Sequence, residues 1–403
     1  MLVLALRNVF RQRARTAITL VAIVFGVAGL ILSGGFVHDI YFQLGEAIIH
    51  SQSGHLQIAK LGFQAGGTGK PDQYLIQNPE RLKTRVASQP GVADVMARVS
   101  FSGLLNNGRG DLAIIGEGVE PATEARLGTY TTIVAGRQLT VKDRSGVMLG
   151  HGVAQALKLA PGDHATLVMS TTAGAANTLD LEVVGVFQTF SKDYDARAIR
   201  LPLVAAHEVM DNQGVNTIVV SLAQTRDTLA VAGSLRAELS GEGLEVWTWQ
   251  ELNDFYDKTV KLYDKQYGAL RLIILIMVLL SVGNSVNMSV FERVGEFGTM
   301  RALGDRSRTV FVLITTETVL VGVIGASIGI VVGVALAVGI SAIGIPMPPP
   351  PNADLAYIAR IQLVPSVILG SFLVGVAAAT SAGVISALRV ARIPVVDALR
   401  QGA

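Results

Sequence analysis

The chain has 403 residues, of which 50% are hydrophobic and 16% charged, with a formal net charge of +2 and a mean hydropathy of +0.47. Soluble domains carry roughly 25% charge, so this composition sets the chain apart from them and points to a membrane protein. Having no cysteine, it forms no disulfide and offers no thiol chemistry or thiolate metal site.

The head, residues 1–15, contains "RNVFRQRAR", with four arginines and no acid. Thr16 to Val37 then carry no charge. At about 1.5 Å per residue such a run crosses a hydrocarbon core of roughly 30 Å. The run exceeds the about 7–15 apolar residues of a signal peptide and no clear A-x-A site follows, so the span is expected to be retained. Phe36, Ile40, Leu44 and Ile48 continue at helical spacing. This predicts a helix that projects from the bilayer as one arm of a stalk, with residues 16–50 forming span plus arm. A plain surface helix is the alternative.

Residues 51–249 have ordinary polarity and are long enough for a water-soluble domain with its own core. "HLQIAK" reads as a strand, and "NPERLKTRVASQ" as a helix with Asn78 as N-cap and Pro79 in its first turn. "VADVMARVSFSGLL" and "DLAIIGEGV" read as strands; "NTIVVSL", "TRDTLAVAGSLRAEL" and "LEVWTW" read as strand, helix, strand. Residues 51–129 and 213–249 would thus be two halves of one α/β part. Between them, 130–212 has short apolar runs ("GVMLG", "ATLVMS", "LEVVGVF", "AIRLPLV") and predicts a β-rich insertion.

Residues 250–291 combine a second stalk arm (Leu252, Phe255, Tyr256, Thr259, Leu262, Tyr263, Tyr267) with a second uncharged span from Leu272 to Phe291. A charged connection, 292–308, precedes the third span, 309–343, which holds one acid, Glu317. A loop at 344–360 includes Pro348 to Pro351, whose prolines cannot continue a helix. The fourth span lies at 361–388 and the tail at 389–403. Four arginines in the head, four in 291–308 and three in the tail fall on one side if four spans are real, against one in 344–360. The positive-inside rule then makes both termini cytoplasmic and the large domain external.

Chemical motifs are scarce. "GFQAGGTGKP" fails the phosphate-loop pattern at Gln64 and Pro71 and reads as a flexible loop. "GASIG" matches a nucleophile elbow in the wrong context, inside an apolar span. With Gly325, Gly329, Gly333, Ala337 and Ser341 it forms a small-residue stripe that admits a close helix, from the same subunit or another. His38, His50, His55, His151, His164 and His207 show no metal-ligand spacing and are expected mostly at the surface or in caps. Neither a metal site, nor a catalytic site, nor a nucleic-acid partner is expected. Glu317 is the ionisable group inside a span, either functional or paired with Arg293 or Arg301. In the connection, Phe297, Met300 and Leu303 have helix-compatible spacing, and Gly304-Asp305 would end the helix.

"ERVGEFGTMRALGDRSRTVFVLITTETVLVG" resembles the signature of ABC transporter permeases of the MacB, LolC–LolE and FtsX class, with its E-R-x-x-E-[IF]-G-x-x-R-A-L-G core. "LALRNVFRQRARTAIT", "SGHLQI", "PGVADVMARVSFSGLL" and "ARIPVVDALR" extend the resemblance over nearly the whole chain, and the domain looks most like the lipoprotein-release permeases. Phe297 stands where the family often has an aliphatic residue. The resemblance implies a helical membrane protein with four transmembrane helices and a large α+β periplasmic domain, porter-like with a β-rich insertion. It implies that Glu292, Arg293, Glu296, Arg301, Leu303 and Gly304 form a coupling helix seated in a separate ATPase. Two permeases, alike or paralogous, would pair and dock on two cytoplasmic ATPase subunits. ATP and magnesium would be bound there, with no cofactor in this chain.

Three roles follow from the resemblance. The first is extraction of lipoproteins or similar amphiphiles from the bacterial inner membrane toward a periplasmic acceptor, with apolar faces of spans one and two forming the acyl-chain cavity and membrane lipids as further partners. The second is efflux of drugs, peptides or toxins through an adaptor. The third is transmembrane regulation of a cell-wall hydrolase.

Overall fold

The structure is a computed structural model that describes residues 13–66, 71–348, 356–391 and 393–394. Helix α1 (Arg13–Ile48) runs directly into a π turn, Ile49–Ser53. Strand β1 (Leu56–Lys60), α2 (Pro79–Ala87), β2 (Val92–Asn106), β3 (Asp111–Val119) and α3 (Pro121–Leu127) follow. Next come β4 (Thr132–Gly136), β5 (Gly146–Gly150), α4 (His151–Leu157), β6 (His164–Ser170) and β7 (Ala176–Gln188). β8 (Ala198–Pro202), α5 (Leu203–Met210), β9 (Thr217–Leu222), α6 (Thr228–Glu238) and β10 (Leu244–Thr248) complete this mixed region. The chain continues through α7 (Asp254–Glu292), α8 (Val294–Ala302), α9 (Ser307–Ile343), a strand pair β11 (Ile345–Met347) and β12 (Tyr357–Ala359), and α10 (Pro365–Ala391).

These elements form two compact units, one of residues 43–258 with 348–357, the other of the remaining residues. In the mixed unit a single hydrogen-bonded path runs β10-β1-β9-β2-β3-β8-β5-β7-β4, with β6 pairing both β2 and β7. The first half of β2 pairs with β9 and the second half with β3. That 15-residue strand therefore passes from one core to another. Leu56, Ile58, Val86, Ile218, Val220 and Leu235 fill the first core; Val99, Phe101, Leu105, Leu149, Leu167 and Leu201 fill the second. The second core thus takes residues from β2 near residue 99 onward, ahead of the stretch 130–212. The reason is that β2 and β3 carry apolar side chains into the second core before the Gly- and Thr-rich stretch begins. Asn78 precedes α2 as expected, but with φ 55 and no side-chain cap bond; Pro79 sits in the first turn.

In the helical unit, α1, α7, α9 and α10 are each long and apolar enough to cross a membrane. Ile23, Val27 and Ile31 of α1 meet Val278 and Val282 of α7, Ala326 of α9 and Ala378, Ala379 and Ala382 of α10. Gly325, Gly329 and Gly333 of α9 lie against α1 of the same chain. A Cβ at Gly329 would stand 2.8 Å from Val27 Cβ and one at Gly333 would stand 3.1 Å from Ala28 Cα. Glycine spacing here lets two backbones approach inside one subunit. Tyr41 of α1 donates its hydroxyl to Asp264 Oδ1 (2.7 Å) and packs edge-on against Tyr263, both in α7. Asp39 is buried and accepts from the Arg360 N–H (2.8 Å) and Gln362 Nε2 (3.2 Å), fixing the approach to α10.

Candidate functional site

The connection between α7 and α9 is built on an inward-facing arginine. Val294, Phe297 and Gly298 are buried on one face of α8. Phe297 enters an apolar cluster with Val310, Leu313, Ile314, Ala387 and Val390. An aromatic side chain fits there because α9 and α10 present mainly aliphatic neighbours. Arg293, at the N-cap of α8, is 8% exposed. Its Nε donates to Glu296 Oε2 at 3.0 Å, a terminal nitrogen donates to Glu317 Oε2 at 2.9 Å, and the guanidinium lies 5.1 Å from the Phe297 ring centroid. Glu317 is thus paired, as burial of a charge demands. Arg301 donates to the Ile393 carbonyl, beside the tail.

The end of α8 is equally defined. Gly304 has φ +106, its N–H bonds Arg301 O at 3.2 Å, and the Asp305 N–H returns to Met300 O at 3.1 Å. This paired 5→2 and 6→1 arrangement is a Schellman motif, whose left-handed residue favours glycine. Leu303, expected on the apolar face with Phe297 and Met300, is instead 85% exposed, because the helix has already ended when the chain reaches it. The six coupling residues therefore separate into two groups. Arg293 and Arg301 hold the segment to its own chain; Glu292, Glu296, Leu303 and Gly304 are exposed, together with Asp305, Arg306 and Arg308.

A second charged cluster, unmarked by any motif, is buried in the mixed unit. Arg98 of β2 and Arg200 of β8 have 6% and 3% side-chain exposure and face Glu117 of β3 and Glu124 of α3. Arg200 reaches Glu124 Oε1 at 2.9 Å and Glu117 Oε2 at 3.2 Å; Arg98 reaches Glu124 Oε2 at 3.2 Å. The Tyr194 hydroxyl donates to Glu117 at 2.7 Å. The two guanidinium groups also donate to the carbonyls of Ser51 and Gln52 in the π turn that ends α1. Burial opposes the charge of Glu117, but Arg98 and Arg200 offset it and hold the carboxyl below the usual carboxylate range. Two cations and two anions neutralise one another while tying four elements to the helix end.

Beside this joint, His55 is 1% exposed. Its Nδ1 accepts the Leu222 N–H at 3.2 Å, so Nε2 carries the proton and faces Thr225 Oγ1 at 3.1 Å. Thr225 in turn donates to Glu46 Oε1 at 2.6 Å, and Glu46 also meets His50 Nε2 at 3.2 Å. Desolvation by burial is the main cause that lowers the His55 pKa to about 4, keeping it neutral. Most histidines are expected at the surface or in caps; His55 is buried just before β1, where its N–H donates to Val220 O and its carbonyl accepts from the Trp249 N–H. Among the described residues no group of three or more His, Cys, Asp or Glu is placed to hold a metal ion. Residues 67–70 of "GFQAGGTGKP", most of the proline run, most of the head and most of the tail lie outside the described residues.

The fold and the charged connection together describe a permease built from a periplasmic-type domain and a helical membrane unit. Residues 16–238 match the MacB-like periplasmic core domain, and residues 268–395 match the FtsX-like permease C-terminal domain. The chain belongs to this MacB/FtsX family of ABC transporter permeases. It is similar to an uncharacterized ABC transporter permease of Methanocaldococcus jannaschii, with 22% identity covering 92% of this chain and 91% of the relative. It is also similar to the lipoprotein-releasing system transmembrane protein LolE of Haemophilus influenzae, with 22% identity covering 80% of this chain and 77% of LolE. The solved periplasmic region of MacB from Actinobacillus actinomycetemcomitans aligns with a TM-score of 0.36 at 16% identity, over 51% of this chain and 92% of that one. Four membrane-spanning helices and a large α/β periplasmic-type domain fit a bacterial inner-membrane protein. Permeases of this family work with ATPase subunits.

Proposed function

We propose that this chain is the permease subunit of an ATP-driven transporter whose separate ATPase docks on the exposed turn 302–306, with both termini cytoplasmic. The observation that carries the reading is the division of the connection: Arg293 locks its inner side to Glu317, and the Schellman turn presents Leu303 outward. A rigid segment with an exposed apolar tip suits the transfer of force from a soluble partner. The load would pass along α1 and α7, and the Arg98–Arg200 pair would read movement of the α1 end. Two permeases, alike or paralogous, would share two ATPase subunits that bind ATP and magnesium. Arg301→Glu or Gly304→Pro should uncouple ATP hydrolysis while leaving insertion intact. Full ATP-dependent activity in the double variant would overturn the coupling reading.

For cargo we propose a lipoprotein or similar amphiphile, taken from the membrane toward a periplasmic acceptor. The extended match to LolE, over most of both chains, supports this choice. On depletion, lipoproteins should accumulate in the inner membrane. Normal lipoprotein sorting together with retention of a drug, peptide or toxin would select efflux instead, and ATPase activity that follows a cell-wall hydrolase rather than any cargo would select regulation.

A further inference from the structure

We infer that α7 and α10 together hold the phosphate of a membrane phospholipid, with Arg271 as its cationic ligand. A cavity of about 130 Å³ in the helical unit is lined by Leu30, Tyr267, Arg271, Ser366, Val367 and Ser371, among others. Arg271 immediately precedes the uncharged run that begins at Leu272. A long cationic side chain at this level extends its stem along apolar surface and its head toward the headgroup layer. In the topology proposed above this is the outer leaflet.

Arg271 differs from the buried arginines of this fold. Arg98, Arg200 and Arg293 each face a carboxylate. Among the described residues, the Arg271 side chain makes no hydrogen bond and no ion pair. Two acids that precede it on α7 are engaged elsewhere: Asp254 pairs with Lys258 at 3.7 Å, and Asp264 accepts from the Tyr41 hydroxyl. A cation at the edge of a span that faces no acid among the described residues takes its counter-charge from the membrane.

The walls suit a phosphodiester with acyl chains beneath it. Tyr267, one helical turn before Arg271, donates its hydroxyl to Leu30 O at 3.3 Å, which fixes the wall shared with α1. The Ser371 hydroxyl is spent on Val367 O at 2.8 Å, whereas Ser366, a hydroxyl residue exposed in the first turn of α10, is part of the cavity lining. The guanidinium fork and that hydroxyl offer donors to phosphate oxygens, and Arg engages phosphate in bidentate fashion. The volume admits a phosphate group and excludes a whole lipid. Leu369 and Leu373 continue at helical spacing from Ser366 and are 60% and 57% exposed, an apolar path for the chains.

The phospholipid site requires neither the proposed ATPase nor the proposed cargo, so its test is separate from theirs. The full-length chain would be purified in detergent, and retained lipid read by native mass spectrometry during titration with phosphatidylglycerol, with diacylglycerol and with inorganic phosphate. The expected result is one phospholipid held per chain, about tenfold weaker retention in Arg271→Gln, and an intermediate value in Arg271→Lys. Diacylglycerol should not compete, and millimolar phosphate should not displace the lipid. Equal retention by Arg271→Gln, or equal retention of diacylglycerol, would overturn the site. Displacement by inorganic phosphate would overturn its assignment to lipid. Because Arg271 is exposed, the variant keeps its fold, and an unchanged elution profile checks this.

Discussion

Arg293 and Arg200 are both buried arginines that face two carboxylates, yet they organise their surroundings in opposite ways. Arg293 lies between Glu296 and Glu317 and holds one side of a short helix, leaving the other side and its terminal turn exposed. Arg200 shares Glu117 and Glu124 with Arg98 and also binds a helix-end carbonyl, so its surroundings are closed to solvent. The contrast separates a docking platform from an internal joint. The platform needs a fixed back and an open front; the joint needs its buried charges matched.

Breaking the joint should have the largest effect. Arg200→Met leaves Glu117 and Glu124 with half their compensation and removes the bond to Ser51 O. The expected loss is about 3–5 kcal/mol of domain stability, read by thermal melting of the full chain. Adding Glu117→Gln should cost less than the sum of the two changes, because both groups belong to one network. On the platform, Glu317→Gln removes one partner of Arg293. A loss of about 1–3 kcal/mol is expected, read as faster amide exchange across residues 294–302 with no change in residues 198–202.

Acid separates the regions further. The carboxyl of Glu117 is held below its ordinary range, so its contribution is present above the unfolded pKa and is lost as pH falls through the folded one. His55 has a folded pKa of about 4 against 6.5. Between those values the unfolded chain binds the extra proton, so stability falls as pH drops from 6.5 toward 4. Melting temperature should therefore decline over that window, and His55→Gln should flatten the decline. A decline unchanged by this substitution would place its source elsewhere. The smallest effect belongs to Gly304→Ala. The added Cβ meets nothing within 4 Å, so the cost of about 1–2 kcal/mol comes from φ +106 alone. It should appear as fraying at residues 303–305.

The platform and the joint also differ in how legible they are in the sequence. The four spans are plain because an uncharged run of membrane length leaves a chain little else to do than cross a bilayer, and the connection stands out because its charges interrupt such runs. Glu317 is legible as the acid in a span, with Arg293 as one of its two candidate partners. The joint is far less visible. Arg98, Glu117 and Arg200 each sit in a largely apolar strand, and their meeting depends on β2, β3 and β8 becoming neighbours, a long-range fact with no local signature. A charge inside a strand otherwise rich in Val, Ile and Leu is the available signal. The strand pair β11–β12 is hidden because prolines dominate that stretch, and Leu303 is misplaced when helical spacing is carried one residue past the true helix end.

The docking role of the 302–306 turn can be tested through the natural absence of cysteine. A single Leu303→Cys would be cross-linked in native membranes beside a matched Phe297→Cys, which replaces a buried neighbour on α8. A cross-link from position 303 to a nucleotide-binding subunit is expected, altered in yield by ATP, and none from position 297. Cross-linking from 297 alone, or a position 303 that reaches no nucleotide-binding protein, would contradict the docking role.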